Sequence, residues 1–319
     1  VESPPPTGSL VPRSEAVGKN TDTSALAADL RGRCRTLTRV TVHDTLRSAR
    51  DSLFRFPGVQ RAVRLATMRG CVPNAVWKRL HPTGVWTLRA PDGSGFRYAS
   101  DADDILARSL IWTNMRHWEE TTHPVFFDLA RNARGFVDIG AFSGIYTLLA
   151  CRANARLRAV AVEPNPAAMR KLRRNIEVNR LQDRVVLVEK ALSSARGRAV
   201  LGIPADTTAA SLLAAEPSNA TVEVEVTTGD DAIGDLPVDL VKIDVEGLEP
   251  EVLSGMSRTI SAHRPTIIAE CLDGTALERL RGAVLELGYR QIRHLGRDGV
   301  VPAPPGFVPP PRYANFLVD

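Results

Sequence analysis

The 319-residue chain has little of what staples or metallates a fold. It holds four cysteines, Cys34, Cys71, Cys151 and Cys271, none near another, so CxxC zinc and redox pairs are excluded. Isolated cysteines fit buried free thiols, and the expected compartment is cytoplasmic. No H-E-x-x-H and no Cys/His ligand spacing occurs. There is no run of about 20 apolar residues, so no transmembrane helix is expected. The first residues lack the basic-then-apolar order of a secretion signal. No internal repeat is visible. Excess charge is also scarce: 41 Lys and Arg face 36 Asp and Glu, a net +5. Residues 1–70 hold 12 basic and 6 acidic side chains, and the rest holds 29 and 30. A protein that coats nucleic acid would carry a basic stripe across its folded body, and this body is near neutral.

What is present is enough chain for one large domain or two small ones. Residues 1–24 are rich in Pro, Ser, Thr and Gly and contain Leu10-Val11-Pro12-Arg13-Ser14, close to a protease-cleavage linker. They read as a disordered tail with no part in the fold. Residues 25–70 read as helical among many arginines, Thr83–Ser100 as a hairpin, and Asp101–Trp112 as a helix. From Gly135 short apolar runs alternate with helical segments, the pattern of a parallel sheet. The expected strands are Phe136–Ile139, Ala159–Glu163, Val185–Glu189, Leu240–Asp244 and Thr266–Glu270. Helices begin near Ser143, Pro166, Glu249 and Thr275. Gly197–Ile203 and Thr221–Thr227 look like further strands, and Tyr289–Leu295 and Tyr313–Val318 like an antiparallel tail.

Phe136 to Ile145 reads as a strand, a tight turn at Gly140 and a helix packed closely through Gly144. Glu163 ends the next strand, where a carboxylate can accept both hydroxyls of a ribose. Asn165-Pro166 then supplies an N-cap and a first-turn proline. A dinucleotide fold wants G-x-G-x-x-G so that a pyrophosphate can approach the backbone. Here Phe142 holds the middle position and the spacing is Gly-x-x-x-Gly. A ligand with a ribose and no phosphate fits better, and S-adenosylmethionine (SAM) is such a ligand.

With these residues the sequence resembles the FkbM-type family of SAM-dependent methyltransferases. The matching segments are Val137-Asp138-Ile139-Gly140-Ala141 with Gly144, Val162-Glu163-Pro164-Asn165-Pro166, Lys190-Ala191-Leu192-Ser193 and Val238 to Gly247. Leu253-Ser254-Gly255, Arg264 to Glu270 and Tyr313-Ala314-Asn315-Phe316-Leu317 continue the likeness, and Trp118-Glu119 looks like the segment before the glycine loop. The resemblance implies a class I, Rossmann-like α/β fold: a seven-stranded, mostly parallel doubly wound sheet with an antiparallel C-terminal strand. The expected organisation is the tail at 1–24, a helical and hairpin region at 25–112 acting as an acceptor lid, and a SAM-binding domain at 113–319. Implied cofactor-binding residues are Glu119, Asp138, Gly140, Phe142, Ser143, Gly144, Glu163, Asn165, Ala191 and Leu192. Asp138 is assigned to the methionine amino end, Glu163 to the ribose, and Ala191 with Leu192 to the adenine. One departure is Phe142, where the family usually has Asn, so no side-chain hydrogen bond to SAM is carried over there.

Methyl transfer is an in-line displacement, and a hydroxyl acceptor must also lose a proton. Lys242 and Asp244 alternate along a strand and so share a face, with Glu246 just beyond its end and Glu270 ending the neighbouring strand. Lys242, Asp244, Glu246 and Glu270 are the catalytic candidates, one carboxylate being the general base. Two other readings stand beside this one: a buried Lys242–Asp244 ion pair that fixes the strand, and a divalent metal held by Asp244 and Glu270. His117 or His123 is a weaker base candidate, and Ser211 lies on a loop that approaches SAM or the acceptor. The leading function is O-methylation of a small organic acceptor: a sugar, glycolipid or polyketide-type natural product. The alternatives are a nitrogen or nucleic-acid methyltransferase and a non-catalytic SAM-binding module. Nucleic acid is disfavoured, since neither the [ND]-P-P-[YFW] tetrad nor a Pro-Cys nucleophile occurs. The basic N-terminal segment reads as solvated arginine-rich helix faces, or as a surface that attracts a negative acceptor.

Overall fold

The computed structural model describes residues 56–101, 103–203, 220–311 and 313–319. The chain divides into two units, Val1–Phe56 and Pro57–Asp319, and every described helix and strand belongs to the second. The expected helices of 25–55, together with Cys34 and Ser211, lie outside the described residues.

The second unit opens with helices α1 (Pro57–Met68) and α2 (Asn74–Trp77) and the hairpin β1 (Gly84–Arg89) and β2 (Gly95–Ser100). Helices α3 (Ile105–Thr113) and α4 (Thr122–Ala130) follow. The alternating body then runs β3 (Gly135–Ile139), α5 (Ile145–Ala153), β4 (Arg158–Val162), α6 (Pro166–Val178) and β5 (Val185–Val188). A small three-stranded sheet comes next, from β6 (Ala191–Leu192), β7 (Gly197–Ile203) and β8 (Ala220–Thr227). The chain returns through α7 (Gly229–Ile233), β9 (Leu240–Ile243), α8 (Glu249–Ser254), α9 (Ser257–His263) and β10 (Thr266–Cys271). It closes with α10 (Gly274–Glu286), β11 (Ile292–Gly296), β12 (Gly299–Pro302) and β13 (Ala314–Val318).

The main sheet has eight strands in the order β12-β11-β13-β10-β9-β3-β4-β5. Neighbours from β10 to β5 are parallel, and β13 is antiparallel to β10 and β11. This is the doubly wound α/β fold with an antiparallel last strand. The sheet has one strand more than the expected seven, because β11 turns back at Gly296–Gly299 and adds β12 at the edge. A four-residue strand ending in proline is poorly legible in sequence, and it stands where a missing N–H costs least.

Helices on both faces bury these strands completely: every residue of β3, β9 and β13 is buried, the polar Asp138, Lys242 and Asn315 included. Val137, Ile139, Val241, Ile243, Ile267 and Ala269 join Val252, Leu253, Leu277 and Leu280 from the covering helices in one core. Each such fully buried Val, Leu or Ile contributes about 1.5–3 kcal/mol relative to exposure. Helix α6 buries Met169, Leu172 and Ile176 and begins at Asn165, whose Oδ1 accepts the Ala167 N–H at 2.9 Å. Its remaining buried polar residue, Asn175, faces β2. Asn175 Oδ1 accepts the Ala99 N–H at 2.7 Å, and one turn on Asn179 Oδ1 accepts the Arg97 N–H at 2.8 Å. Asn175 and Asn179, the residue that caps the C-terminus of α6, thus satisfy the free edge of the hairpin. No helix among the described residues is long and apolar enough to cross a membrane.

Candidate active site

The strand order reverses between β3 and β9, and in open α/β sheets ligands bind at the carboxyl ends of the strands beside such a reversal. A cavity of about 480 Å³ lies there. It is lined by the ends of β3 (Asp138, Gly140), β4 (Glu163), β9 (Lys242, Asp244, Glu246) and β10 (Glu270). Glu119, Phe142, Asn165, Ala191 and Leu192 also line it. Ser143 and Gly144 stand behind this lining.

The glycine loop is fixed by its neighbours. Gly140 has φ +78°, and a Cβ there would stand 1.9 Å from the Asp244 carbonyl oxygen. The amides of Gly140 and Ala141 both reach the Val162 carbonyl at 3.0 Å. The turn is therefore clamped between β4 and β9, and Gly140 serves that approach of backbones. Gly144 has φ +84°, and a Cβ there would meet Leu172 Cδ1 at 2.4 Å, so it lets α5 close on α6. Phe142 adopts a left-handed φ of 49°, unusual for a bulky residue. Its N–H donates to Glu163 Oε2 at 2.7 Å. Ser143 is fully buried and turned toward the hairpin, its Oγ 2.7 Å from the Tyr98 hydroxyl.

Six carboxylates line the cavity: Glu119, Asp138, Glu163, Asp244, Glu246 and Glu270. Glu163 accepts Phe142 N–H on one oxygen and Asn165 N–H, at 2.8 Å, on the other. Burial still lifts it to about 7. Asp138 accepts both the amide and the hydroxyl of Thr147 on Oδ2, at 3.0 and 2.6 Å. Its own carboxylate thus meets the first turn of α5, and burial raises it to about 6. Glu119, raised by burial, accepts from the Tyr146 hydroxyl and, at 3.0 Å, from Asn315 Nδ2. Glu246 has φ 55° and precedes Gly247 at φ 102°, a double left-handed turn past β9. Burial, then Asp244 and Glu249, raise it to about 7. Glu270 is pushed well up by burial and by Asp244.

Lys242, only 1% exposed, supplies the counter-charge. Its Nζ is 3.6 Å from Asp244 Oδ2 and donates to the Ile243 carbonyl at 3.3 Å. Burial alone would lower it, but Asp244, Glu119, Glu270 and Asp138 together hold it above the usual lysine range. The other lining lysine, Lys190, pairs with Glu225 at 2.8 Å. No group of three or more His, Cys, Asp or Glu side chains placed to hold a metal ion occurs among the described residues.

His123 does not line the cavity; its Nδ1 lies 3.0 Å from the Trp118 and Glu119 carbonyls, and burial lowers it. His117 does line it, with Nδ1 3.3 Å from Glu120 Oε1. Three contributions escape sequence reading. Tyr146 and Asn315 both hold Glu119, and Ile105, Leu106 and Ser109 of α3 form one wall. Asn315 stands within a segment that carries the family resemblance, while Tyr146 and the α3 residues carry no local signal.

Residues 138–291 match the family model of the methyltransferase FkbM domain. Over this segment, just under half of the chain, the sequence is similar to methyltransferase FkbM domains. The match begins at Asp138 and spans the glycine loop, Glu163 and the Lys242–Glu246 cluster. Among solved structures, the FkbM methyltransferase of Methylobacillus flagellatus KT aligns at 19% identity and a TM-score of 0.43. That alignment covers 69% of this chain and 55% of the other. The precorrin-6y C5,15-methyltransferase of Geobacter metallireducens GS-15 aligns at 17% identity and a TM-score of 0.37, over 61% and 84% of the two chains. The O-methyltransferase of Bacillus cereus, solved in complex with SAH, aligns at 14% identity and a TM-score of 0.36, over 63% and 84%. No curated protein matches the chain in sequence.

Proposed function

We propose that the protein is a SAM-dependent methyltransferase that methylates a hydroxyl of a small organic acceptor. The observation that carries this reading is the six-carboxylate cavity at the strand-order reversal, entered by Phe142 where a dinucleotide site would need glycine. A cavity of that charge favours a cationic ligand. Bound SAM supplies an electrophilic methyl on a sulfonium. Glu163, held in place by two backbone N–H groups, is suited to a ribose diol. Asp138 and Glu119 suit the ammonium end, and Ala191, Leu192 and Leu201 give an apolar face for the adenine. Ser143 and Gly144 act behind these residues, by shaping the loop.

On the acceptor side, Ile105, Leu106 and Ser109 of α3 with Trp118 and Tyr313 form a mixed apolar and aromatic wall. This gives the segment before residue 113 a part in binding the acceptor. Glu246 fits the general base best among the candidates. It lines the cavity, sits half-buried on a constrained turn, and exchanges its proton near neutrality. Lys242, 3.6 Å from Asp244 Oδ2, places a positive charge among the carboxylates at the end of β9. A sugar, glycolipid or polyketide-type product, met in the cytoplasm, is the acceptor this reading favours. Titration calorimetry with SAM and with S-adenosylhomocysteine (SAH) tests it. Saturable binding of both is expected, and no heat at millimolar ligand would sink the reading.

A further inference from the structure

Tyr98 is fully buried on β2, as are Asp104 before α3 and Ser143 after the glycine turn. The Tyr98 hydroxyl donates to Asp104 Oδ2 at 2.9 Å and stands 2.7 Å from Ser143 Oγ. A phenol has one proton, so with that proton on Asp104 the Ser143 hydroxyl donates to Tyr98. Asp104 Oδ1 in turn accepts the Ala107 N–H at 3.0 Å and so caps α3. Asn175 closes the circuit, donating from Nδ2 to the Ser143 carbonyl at 2.8 Å while its Oδ1 holds Ala99 N–H. None of these four side chains lines the cavity, yet both ends of the chain do so one residue away. Phe142 precedes Ser143, and Ile105 follows Asp104. Buried polar networks that are fully satisfied fix one arrangement, because loosening any member strands the others.

We propose that Tyr98 is a positioning residue that joins the two walls of the cavity, so that filling the glycine-loop half sets the first turn of α3. The restraint passes from the Phe142–Ser143 turn through the two hydroxyls to Asp104 and on to the Ala107 amide. The ligands of the two halves, cofactor at the glycine loop and acceptor at α3, rest on the proposed methyltransferase function. The coupling itself follows from the hydrogen bonds.

Hydrogen exchange of the full chain, read at residues 105–109 and 141–144 with and without SAH, tests it in wild type, Tyr98→Phe and Ser143→Ala. Ser143→Ala keeps the Tyr98–Asp104 bond, so it serves if Tyr98→Phe folds poorly. Without ligand, Ser143→Ala is expected to speed exchange at both segments, although the substitution lies in only one. With SAH, wild type should gain protection at 105–109 of about fivefold or more, the usual floor for coupled sites. Both variants should lose that gain while 141–144 stays protected. A merely structural role would lower stability and leave SAH-induced protection of α3 intact. Unchanged α3 exchange in ligand-free Ser143→Ala, or wild-type protection retained in both variants, overturns the coupling. Failure of wild type to bind SAH at all overturns the SAM reading instead, and the ligand-free comparison then decides the coupling alone.

Discussion

Glu163 ends β4 with each carboxylate oxygen already accepting one backbone N–H, from Phe142 and from Asn165. Glutamine has one carbonyl oxygen and can satisfy only one of these donors. Glu163→Gln is therefore expected to weaken SAM about tenfold or more, the range for hydrogen bonds to a charged group. Calorimetry measures this at a pH where Glu163 is ionised, with a melting curve confirming that the variant is folded. Because burial sets the ionisation of Glu163 at about 7, wild-type affinity should rise with pH across neutrality, and the variant should show a shallower rise. Equal affinity and equal pH dependence would remove the ribose role. Glu163 was legible in sequence, since a strand-end acid at this distance from a glycine loop is a strong pattern. The orientation of Ser143 was not. Its partner Tyr98 lies 45 residues away, and nothing local says which way a short hydroxyl side chain turns.

At the scale of elements, the parallel strands were readable because burial on both faces demands unbroken apolar runs. Asn175 and Asn179, which satisfy the hairpin edge from the end of α6, and the extra strand β12, depend on tertiary neighbours and leave no periodic trace. The two glycines of the loop separate local strain from crowding. Both have φ near +80°, so alanine is strained at either. At Gly140 the added Cβ meets the Asp244 carbonyl, a backbone atom just past β9 whose residue is tied to β3 by the Asp244 N–H bond to the Ile139 carbonyl at 2.9 Å. At Gly144 it meets the end of the Leu172 side chain. Gly140→Ala is thus expected to cost more than Gly144→Ala, beyond the roughly 1–3 kcal/mol of a strained backbone position alone. Leu172→Ala removes a buried side chain and costs stability itself, but on that background Gly144→Ala should cost less than in wild type and Gly140→Ala as much. Denaturant melts of the three single and two double variants check the order, and equal losses at the two glycines would contradict the clamp between β4 and β9.

For the whole molecule, the small net charge conceals a division between a near-neutral body and an acidic cavity. Burial raises Asp138 to about 6 and Glu163 and Glu246 to about 7, and lifts Glu270 further. Each of these acids ionises at about 4 in an unfolded chain. Between those values the folded protein binds more protons than the unfolded one, so their contribution to stability is present at mildly acid pH. It is lost as pH rises through the folded values. Lys242, held above the usual lysine range, adds nothing to this slope below pH 10. Asp231, lowered to about 2 by hydrogen bonds to Arg196 and Thr228, works the other way and protects only against stronger acid. The ligand-free protein should therefore melt highest near about pH 4 and progressively lower towards about pH 8. A cation bound among the carboxylates reverses the balance, because it favours their ionised forms. Saturating SAM should then raise the melting temperature more at about pH 8 than at about pH 5.5, by linkage between binding and ionisation. Thermal shift curves across that range, with and without ligand, provide the measurement. A SAM-induced shift that is the same at both pH values would mean the ligand does not meet these carboxylates.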